Sequence, residues 1–380
     1  MIDKIHKRSS QLFNTFSEYK SAVKKNIYPL QIKNLNYHDY NYRPFINQTQ
    51  VYLSALINEM EHGFATLLTP SCINAIAIAT TAILRPNKNV VIADNIYPKT
   101  KTTIYQIADK INATVSIANM LKPNAIEQSI VDNTDLVVIE NPGSYSFTLV
   151  NTENIAKTAK LNNAILLCDN SWATPVFHKP GKYGVDIVVG SIRKYMNDRG
   201  DINMGYITSI HEEVYKKIYQ SIQTFGITAN PDDCYNIIQN IQTIEMRMKH
   251  HNTNIKGLIS QIKKHSRIKK VMHPYANTSI EQQKLWEHYF TGGGSLFSII
   301  LDKIYSIKKL DSMVKIMKSF QVGTNWGGAD NLMTIINPKL IHTFPDKQML
   351  SGSCLRIYCG LKHTMEHNIQ DIVNGLNALD

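Results

Sequence analysis

The chain has 380 residues, of which 43% are hydrophobic, and it carries a formal net charge of +11. This length exceeds one ordinary compact core and suits one large domain with a smaller one. The apolar content excludes a disordered chain, and the scattered placement of the lysines argues against a nucleic-acid partner.

Five cysteines are widely spaced without a CxxC pair, which predicts reduced thiols. The spacing of the histidines fits no metal site. The N-terminus "MIDKIHKRSSQLFNTF" lacks an apolar signal core, and no stretch approaches the length of a membrane span. We therefore expect a cytoplasmic protein with no membrane or nucleic-acid partner and no metal.

The predicted elements begin with a polar arm over residues 1–46, rich in tyrosine and asparagine. "QVYLSALINEMEHG", starting at Gln50, has helical spacing and ends at a glycine. "ATLLTPSCINAIAIATTAIL" then predicts a short strand, a Pro-Ser break and an apolar helix.

Five short β-branched runs follow, separated by helical or turn segments: "NVVIAD", "ATVSIA", "TDLVVIEN", "NAILLCDN" and "VDIVVGS". Apolar runs of this kind predict a mainly parallel sheet covered by helices on both faces. After about Tyr235 a long helical stretch leads to "SLFSIIL", "LRIYCG" and a final helix, typical of a second α+β domain. The predicted division is 47–238 and 239–380.

Ligands of such sheets bind at the carboxyl ends of the strands. The polar residues after the apolar runs are therefore the candidates, namely Tyr97, Asn141, Asp169, Asn170, Ser191 and Lys194.

Lys194 and Asp169 suggest a specific chemistry. A lysine in a closed cleft can attack a carbonyl carbon, and an aspartate can keep a pyridine nitrogen protonated. Together they form the minimum equipment for pyridoxal phosphate (PLP). From spacing alone, a solvated lysine and a helix-capping aspartate stay open as the alternative.

The stretch "CDNSWATPVFHKPGKYGVDIVVGSIRKYMNDRGD" resembles the signature of the Cys/Met-metabolism PLP enzymes, Asp-Asn-Thr-Trp/Phe followed by Ser-x-Thr-Lys-Tyr. "ENPGS", "NWGGADNL" and "GSCLRIYCGL" are similar to further parts of that family, in order, from about Arg43 to the end. Trp172 and "WGG" are most similar to its cystathionine β-lyase branch.

The resemblance implies an aspartate-aminotransferase-like α/β fold (fold type I), with a mainly parallel seven-stranded sheet and a smaller C-terminal α+β domain. It implies a homotetramer, a dimer of dimers with shared active sites. The implied reaction is a carbon–sulfur β-elimination that converts L-cystathionine to homocysteine, pyruvate and ammonia.

The resemblance also assigns cofactor contacts. Lys194 would form the Schiff base with PLP and move protons, Asp169 would pair with the ring nitrogen, and Tyr97 would stack on the ring at the catalytic centre. Ser191 would contact the phosphate. The phosphate-binding turn "TPSCINA" contributes Cys72 and Ile73.

The implied substrate contacts lie near the C-terminus and in the arm. Arg356 would clamp the substrate carboxylate in a bidentate fork, with Asn325 and Trp326 beside it. Tyr42 would reach the phosphate, and with it the substrate, of the partner subunit's site.

This chain departs from the family pattern at four positions. Arg193 replaces a threonine, Pro44 an arginine, Cys72 a glycine and Asn325 a serine. The first three concern the cofactor phosphate, and we expect the Arg193 guanidinium to face it in compensation. Arg43 would contribute after a one-residue slip. The alternative is that Arg193 points to solvent.

Three other functions stay open. The same cofactor supports an amino-acid (alanine) racemase, and it supports elimination at Cγ or another lyase reaction of the family. A non-catalytic PLP-fold protein is disfavoured because Lys194, Asp169, Tyr97 and Arg356 are all present.

Overall fold

The structure is a computed structural model. It describes Thr15, Ser17 and residues 47–341, 343 and 347–379. The predicted arm, 1–46, lies outside the described residues apart from those first two positions, and so do Tyr42 and Arg43. No helix of the described part is long and apolar enough to cross a membrane.

Seven strands form the larger sheet: β1 (Ala65–Thr69), β2 (Asn89–Ala93), β3 (Thr114–Ala118), β4 (Thr134–Glu140), β5 (Ile165–Asp169), β6 (Ile187–Ser191) and β7 (Gly205–Ser209). Their spatial order is β1-β7-β6-β5-β4-β2-β3. All neighbours are parallel except the two pairs made by β7. The predicted mainly parallel sheet and fold class are confirmed.

Five strands form the smaller sheet: β8 (Ile268–Met272), β9 (Leu296–Leu301), β10 (Phe320–Val322), β11 (Asn331–Ile336) and β12 (Cys354–Tyr358). Their spatial order is β10-β11-β12-β9-β8. Only β10 and β11 pair in parallel.

The helices, in chain order, are α1 (Gln48–Glu61), α2 (Cys72–Ile83), α3 (Pro98–Lys110), α4 (Ala125–Ser129), α5 (Thr152–Leu161), α6 (Thr174–Phe177), α7 (Glu212–Phe225), α8 (Pro231–Ile241), α9 (Ile244–Ile262), α10 (Ile280–Tyr289), α11 (Ile307–Ile316), α12 (Pro338–Ile341) and α13 (Met365–Asn377). Short 3₁₀ turns occur at Pro180–Tyr183, Pro274–Ala276 and Met349–Ser351.

The strands differ in burial according to their place in the sheet. β2 is buried along its whole length, as two-sided coverage requires, whereas β3 is half exposed because it is the edge strand. The long helical stretch after Tyr235 is interrupted between Ile241 and Ile244, so it forms α8 and α9. The predicted domain boundary at 238/239 falls inside α8, and the division stays a prediction.

Capping sets the start of α1. The Asn47 side chain accepts from the Gln50 backbone N–H at 3.1 Å, and the Gln50 side chain accepts from the Asn47 N–H at 2.7 Å. The helix therefore begins two residues before the predicted Gln50. It ends at His62, which adopts the left-handed conformation (φ 57°) just before Gly63.

Candidate active site

A cavity of about 170 Å³ opens at the carboxyl ends of the central strands. Glu140, Asp169 and Ser191 are the last residues of β4, β5 and β6, and all three line it. Thr324 and Trp326, from the loop between β10 and β11, close the cavity from the side of the smaller sheet. The two sheets thus share one site.

Lys194 lies in the turn after β6, where its backbone N–H donates to the Ser191 carbonyl at 3.2 Å. Its Nζ donates to Asn325 Oδ1 at 2.5 Å and lies 4.7 Å from the centre of the Trp326 ring. Burial, and then the positive charges of Arg356 and Arg193, lower the pKa of Lys194 to about 7. At neutral pH a large fraction of this amine is uncharged and nucleophilic.

Asp169 is held by its neighbours at the end of β5. Its Oδ1 accepts from the Ser171 backbone N–H at 2.9 Å, and its Oδ2 lies 3.8 Å from the Cys72 thiol. Burial raises the pKa of Asp169, while the hydrogen bonds from Ser171 and the positive charge of Lys194 oppose that rise.

A second carboxyl group, Glu140, stands beside Asp169. The two residues are register partners on β4 and β5, so their side chains leave the same face of the sheet. Glu140 Oε2 accepts from the Tyr97 backbone N–H at 2.8 Å. Burial and the neighbouring Asp169 raise the pKa of Glu140 well above its ordinary value. Burial beside Asp169 thus favours the neutral form of Glu140.

An anion-binding corner lies at the start of α2. Ser71 caps this helix by accepting from the Asn74 N–H at 3.1 Å, and the N-terminal end of α2 faces the cavity through Cys72 and Ile73. Arg193 lines the cavity as well, half-buried, with its backbone N–H bonded to the Met204 carbonyl at 3.3 Å.

Arg356 supplies another cation at the opposite wall. It lies in the middle of β12 with 6% of its surface exposed, and its Nη2 donates to the Thr324 carbonyl at 2.5 Å. The Tyr145 ring lies 5.0 Å from its guanidinium. No acidic side chain among the described residues forms an ion pair with Arg356. A buried cation of this kind is poised for an anionic ligand.

The structure brings most of the sequence-predicted site residues together. Those that line the cavity are Cys72, Ile73, Tyr97, Asp169, Ser191, Arg193, Lys194, Trp326 and Arg356. Asn325 reaches the site through its bond to Lys194. Trp172 lines the same cavity, and its Nε1 donates to the Leu296 carbonyl at 3.1 Å.

Two candidates were wrong. Asn141 is bonded to the Val150 carbonyl and Thr152 Oγ1, and Asn170 to Glu61 and the His178 carbonyl. Each asparagine directly follows a strand residue whose side chain lines the cavity. Because consecutive side chains of a strand leave opposite faces, the asparagine side chains point away from the cavity.

Sequence reasoning also missed several residues of the cavity lining, among them Glu140 and Tyr145. The alternation along β4 and β5 places Glu140 on the same side as Asp169, and that signal is present in the sequence. Tyr145 follows from no sequence pattern, because its position depends on the path of the 143–148 loop.

Residues 3–377 match the model of the Cys/Met metabolism PLP-dependent enzymes. The chain belongs to this family. Its cofactor is pyridoxal 5′-phosphate, as the sequence predicted. The match begins well before Arg43, where the similarity of the individual motifs starts.

Relatives of this chain carry different activities in their names. The L-alanine/L-glutamate racemase of Wolbachia pipientis wMel is 34% identical over 98% of this chain and 91% of its own. The cystathionine beta-lyase MetC of Escherichia coli (strain K12) is 23% identical over 87% and 83%. A solved cystathionine gamma synthase from Xanthomonas oryzae pv. oryzae shares the fold, with a TM-score of 0.86, 20% identity and 99% and 92% coverage.

The donor set of the cavity fits PLP. It offers one amine of lowered pKa for an aldehyde, one carboxylate for a ring nitrogen, and a helix N-terminus with an arginine for a phosphate. Arg356 stays available for a second anionic group.

Proposed function

We propose that this protein is a PLP-dependent amino-acid racemase acting on L-alanine or L-glutamate. The observation that carries the proposal is the 34% identity, over 98% of the chain, with the Wolbachia protein named L-alanine/L-glutamate racemase. The matching relatives named as cystathionine beta-lyases are 23–26% identical.

The residues of the cavity take definite roles in this proposal. PLP, when bound, supplies an electron sink that makes the Cα proton of the amino acid removable. Lys194 holds the aldehyde end and removes the proton, and Asp169 holds the ring nitrogen. Arg356 binds the substrate carboxylate with its free N–H groups.

The phosphate has its own set of donors. The backbone N–H groups of Cys72 and Ile73 at the start of α2 would bind it, the Ser191 hydroxyl would donate to it, and Arg193 would supply the cation. In this arrangement Arg193 compensates for the threonine that it replaces. Tyr42 and Arg43 lie outside the described residues, and their contacts with a partner's phosphate stay predictions.

In racemisation a proton leaves one face of Cα and a proton returns to the other face, so two proton-carrying groups are needed. The order of the strands supports the presence of two such groups. Lys194 follows β6 and Tyr97 follows β2, while β5 with Asp169 and β4 with Glu140 lie between them. A ring held at Asp169 would have Lys194 on one side of it and Tyr97 on the other. We assign Lys194 and the Tyr97 hydroxyl as the two proton carriers.

The carbon–sulfur β-lyase predicted from the sequence is the second candidate. It is favoured by Trp172, which lines the cavity, and by relatives named putative cystathionine beta-lyase and cystathionine beta-lyase MetC, which match 86% and 87% of this chain. Elimination of L-cystathionine uses the same lysine and differs in the loss of a thiolate from Cβ. Which of the two reactions takes place depends on the group that the bound amino acid carries at Cβ.

Assays of both reactions on one preparation test the proposal. We expect the kcat/KM for L-alanine racemisation, followed by chiral chromatography, to exceed that for L-cystathionine elimination, followed as pyruvate and free thiol. The reverse order would leave the β-lyase as the function. Lys194→Ala is the control, since it should remove both activities and the cofactor absorbance near ~420 nm.

The assembly and location are also proposals. We infer a cytoplasmic homotetramer in which two subunits share each active site, because the family resemblance includes a partner-contacting arm. Light scattering on the purified holoenzyme should give a mass of four chains of 43.1 kDa. A monomeric mass with full activity would contradict a shared site.

A further inference from the structure

One aromatic ring covers the cation that we assign to the substrate carboxylate. Tyr145 lines the cavity half-buried, and its ring centre lies 5.0 Å from the Arg356 guanidinium. A cation and an aromatic ring attract each other at this distance. The Thr324 carbonyl accepts from Arg356 Nη2, and Arg356 lines the cavity beside Tyr145.

The backbone at Tyr145 adopts a strained conformation. Its φ is 61°, in the left-handed region that bulky residues avoid. Four backbone hydrogen bonds pin the surrounding loop, from Gly143 to Thr148, Ser144 to Asn95, Ser146 to Ser144 and Phe147 to Gly143, at 2.7–2.9 Å. A bulky residue that its surroundings hold in a strained conformation is typical of ligand-binding sites.

We propose that the Tyr145 ring is the wall that limits the length of the substrate side chain, so that the site excludes side chains as long as that of cystathionine. A carboxylate bound by Arg356 brings Cα and Cβ beside this ring. An alanine methyl group fits there, whereas the thioether arm of cystathionine needs the volume that the ring occupies. The inference deepens the proposed function and rests on it for the choice of substrate class.

The ring, and not the hydroxyl, carries this role. Burial raises the pKa of Tyr145, with smaller contributions from Tyr97 and Glu140, while Arg356 opposes the rise. Its phenol therefore stays neutral and adds no charge to the clamp. A phenylalanine at this position should keep both the wall and the contact with the guanidinium.

Binding of two amino acids to the holoenzyme tests the wall without requiring turnover. Apparent Kd values for L-alanine and L-cystathionine are read from the absorbance change of bound PLP. In Tyr145→Ala the ratio of the two should shift toward cystathionine by about tenfold or more, the size of effect expected when a buried pocket gains several carbon atoms of space. Tyr145→Phe should stay within about twofold of the wild type.

Two further variants keep the test decisive. Tyr145→Gly removes the ring and also relieves the left-handed strain, so it replaces the alanine variant if that one fails to fold. Tyr105→Ala removes an exposed tyrosine of α3 outside the cavity and should change neither Kd.

An unchanged ratio in Tyr145→Gly, or an equal shift in Tyr145→Phe, would overturn the wall. A wild-type enzyme that binds alanine without racemising it would instead refute the proposed function and leave the wall intact.

Discussion

Arg193 differs from the threonine of the family pattern, and we propose that it binds the cofactor phosphate. It lines the cavity together with Cys72 and Ile73 of α2, and it stands where the family pattern that the sequence resembles has a threonine. A guanidinium bound to phosphate oxygens is a charge-assisted contact of roughly 1.5–3 kcal/mol. We expect Arg193→Ala to weaken PLP binding by about tenfold to a hundredfold, measured by absorbance titration of the apoenzyme.

Arg199 provides the matched control for this experiment. It is an exposed arginine six positions further on, outside the cavity lining. Arg199→Ala should leave the PLP affinity unchanged, since an exposed arginine makes no fixed contact there. Equal affinities in the wild type and Arg193→Ala would show that Arg193 does not hold the phosphate.

Lys194 should impose a pH dependence on cofactor uptake. Only the uncharged amine attacks an aldehyde, and burial with two arginines lowers the pKa of Lys194 to about 7. The rate of PLP uptake by the apoenzyme, followed by stopped-flow absorbance, should rise about tenfold per pH unit below pH 7 and level off above it.

The positive charge of Arg193 is one cause of the lowered pKa, so its removal tests the explanation. Arg193→Ala should move the inflection to higher pH, and Arg199→Ala should not. A wild-type inflection above pH 9 would mean that the amine is not desolvated.

For single residues, the sequence predicted which side chains form the site better than it predicted their contacts. The ends of the apolar strands placed Lys194, Asp169 and Tyr97 in one site, and the family resemblance added Arg356. The sequence could not give the 2.5 Å bond between Lys194 and Asn325, which lie 131 positions apart. That contact depends on how the two sheets meet.

Glu61 joins two elements behind the active site. It is the last residue of α1, it is buried, and it accepts from the Tyr206 hydroxyl of β7 at 2.5 Å and from Asn170 Nδ2 at 3.3 Å. Burial raises its pKa from 4.5 to about 7, although the hydrogen bonds and Lys179 oppose the rise. The folded protein therefore binds this proton more tightly than the unfolded chain does.

The sign of the effect on stability follows from that difference. The stability that the neutral carboxyl group contributes is complete below about pH 4.5 and is lost as pH rises through about 7. Glu61→Gln keeps the acceptor oxygen and cannot ionise. Relative to wild type, its free energy of unfolding should gain up to about 3 kcal/mol between pH 4.5 and pH 8.

Thermal unfolding of both holoenzymes across this pH range measures the effect. Glu59→Gln is the matched control, since Glu59 is exposed on the same helix. A Tm difference between Glu61→Gln and wild type that is constant from pH 4.5 to pH 8 would contradict a buried proton at Glu61.

At the scale of elements, periodicity predicted the central strands because they are covered on both faces. It did not distinguish β3, whose run "ATVSIA" matches the others although the strand lies at the sheet edge. It also joined α8 to α9, because apolar spacing continues through residues 242–243, where the chain turns between two helices. Such outcomes depend on neighbours that are distant in sequence.

The whole molecule depends on close contact between the loop of the smaller sheet and Lys194. Gly327 has φ 89°, and a Cβ at this position would lie 2.5 Å from Lys194 Cα. Gly327→Ala should therefore push the 323–330 loop and Lys194 apart. We expect a loss of at least about 1–3 kcal/mol in stability and weaker PLP binding, measured by thermal unfolding and absorbance titration.

Gly226 separates the effect of the clash from that of backbone strain. It also has positive φ, 64°, at the end of α7, but a Cβ at this position would meet open space. Gly226→Ala should cost stability without changing the PLP affinity. If both variants bound PLP as the wild type does, the loop contact would not position Lys194.

In the proposed racemase, one cavity removes a proton from Cα of the amino acid and returns a proton to the opposite face. Incubation of the holoenzyme with L-alanine in D₂O, followed by chiral separation and mass spectrometry, measures both steps. We expect D-alanine that carries deuterium at Cα and that approaches the amount of L-alanine. Deuterium entering L-alanine without any D-alanine would contradict this proposal, because the proton would then leave from and return to the same face.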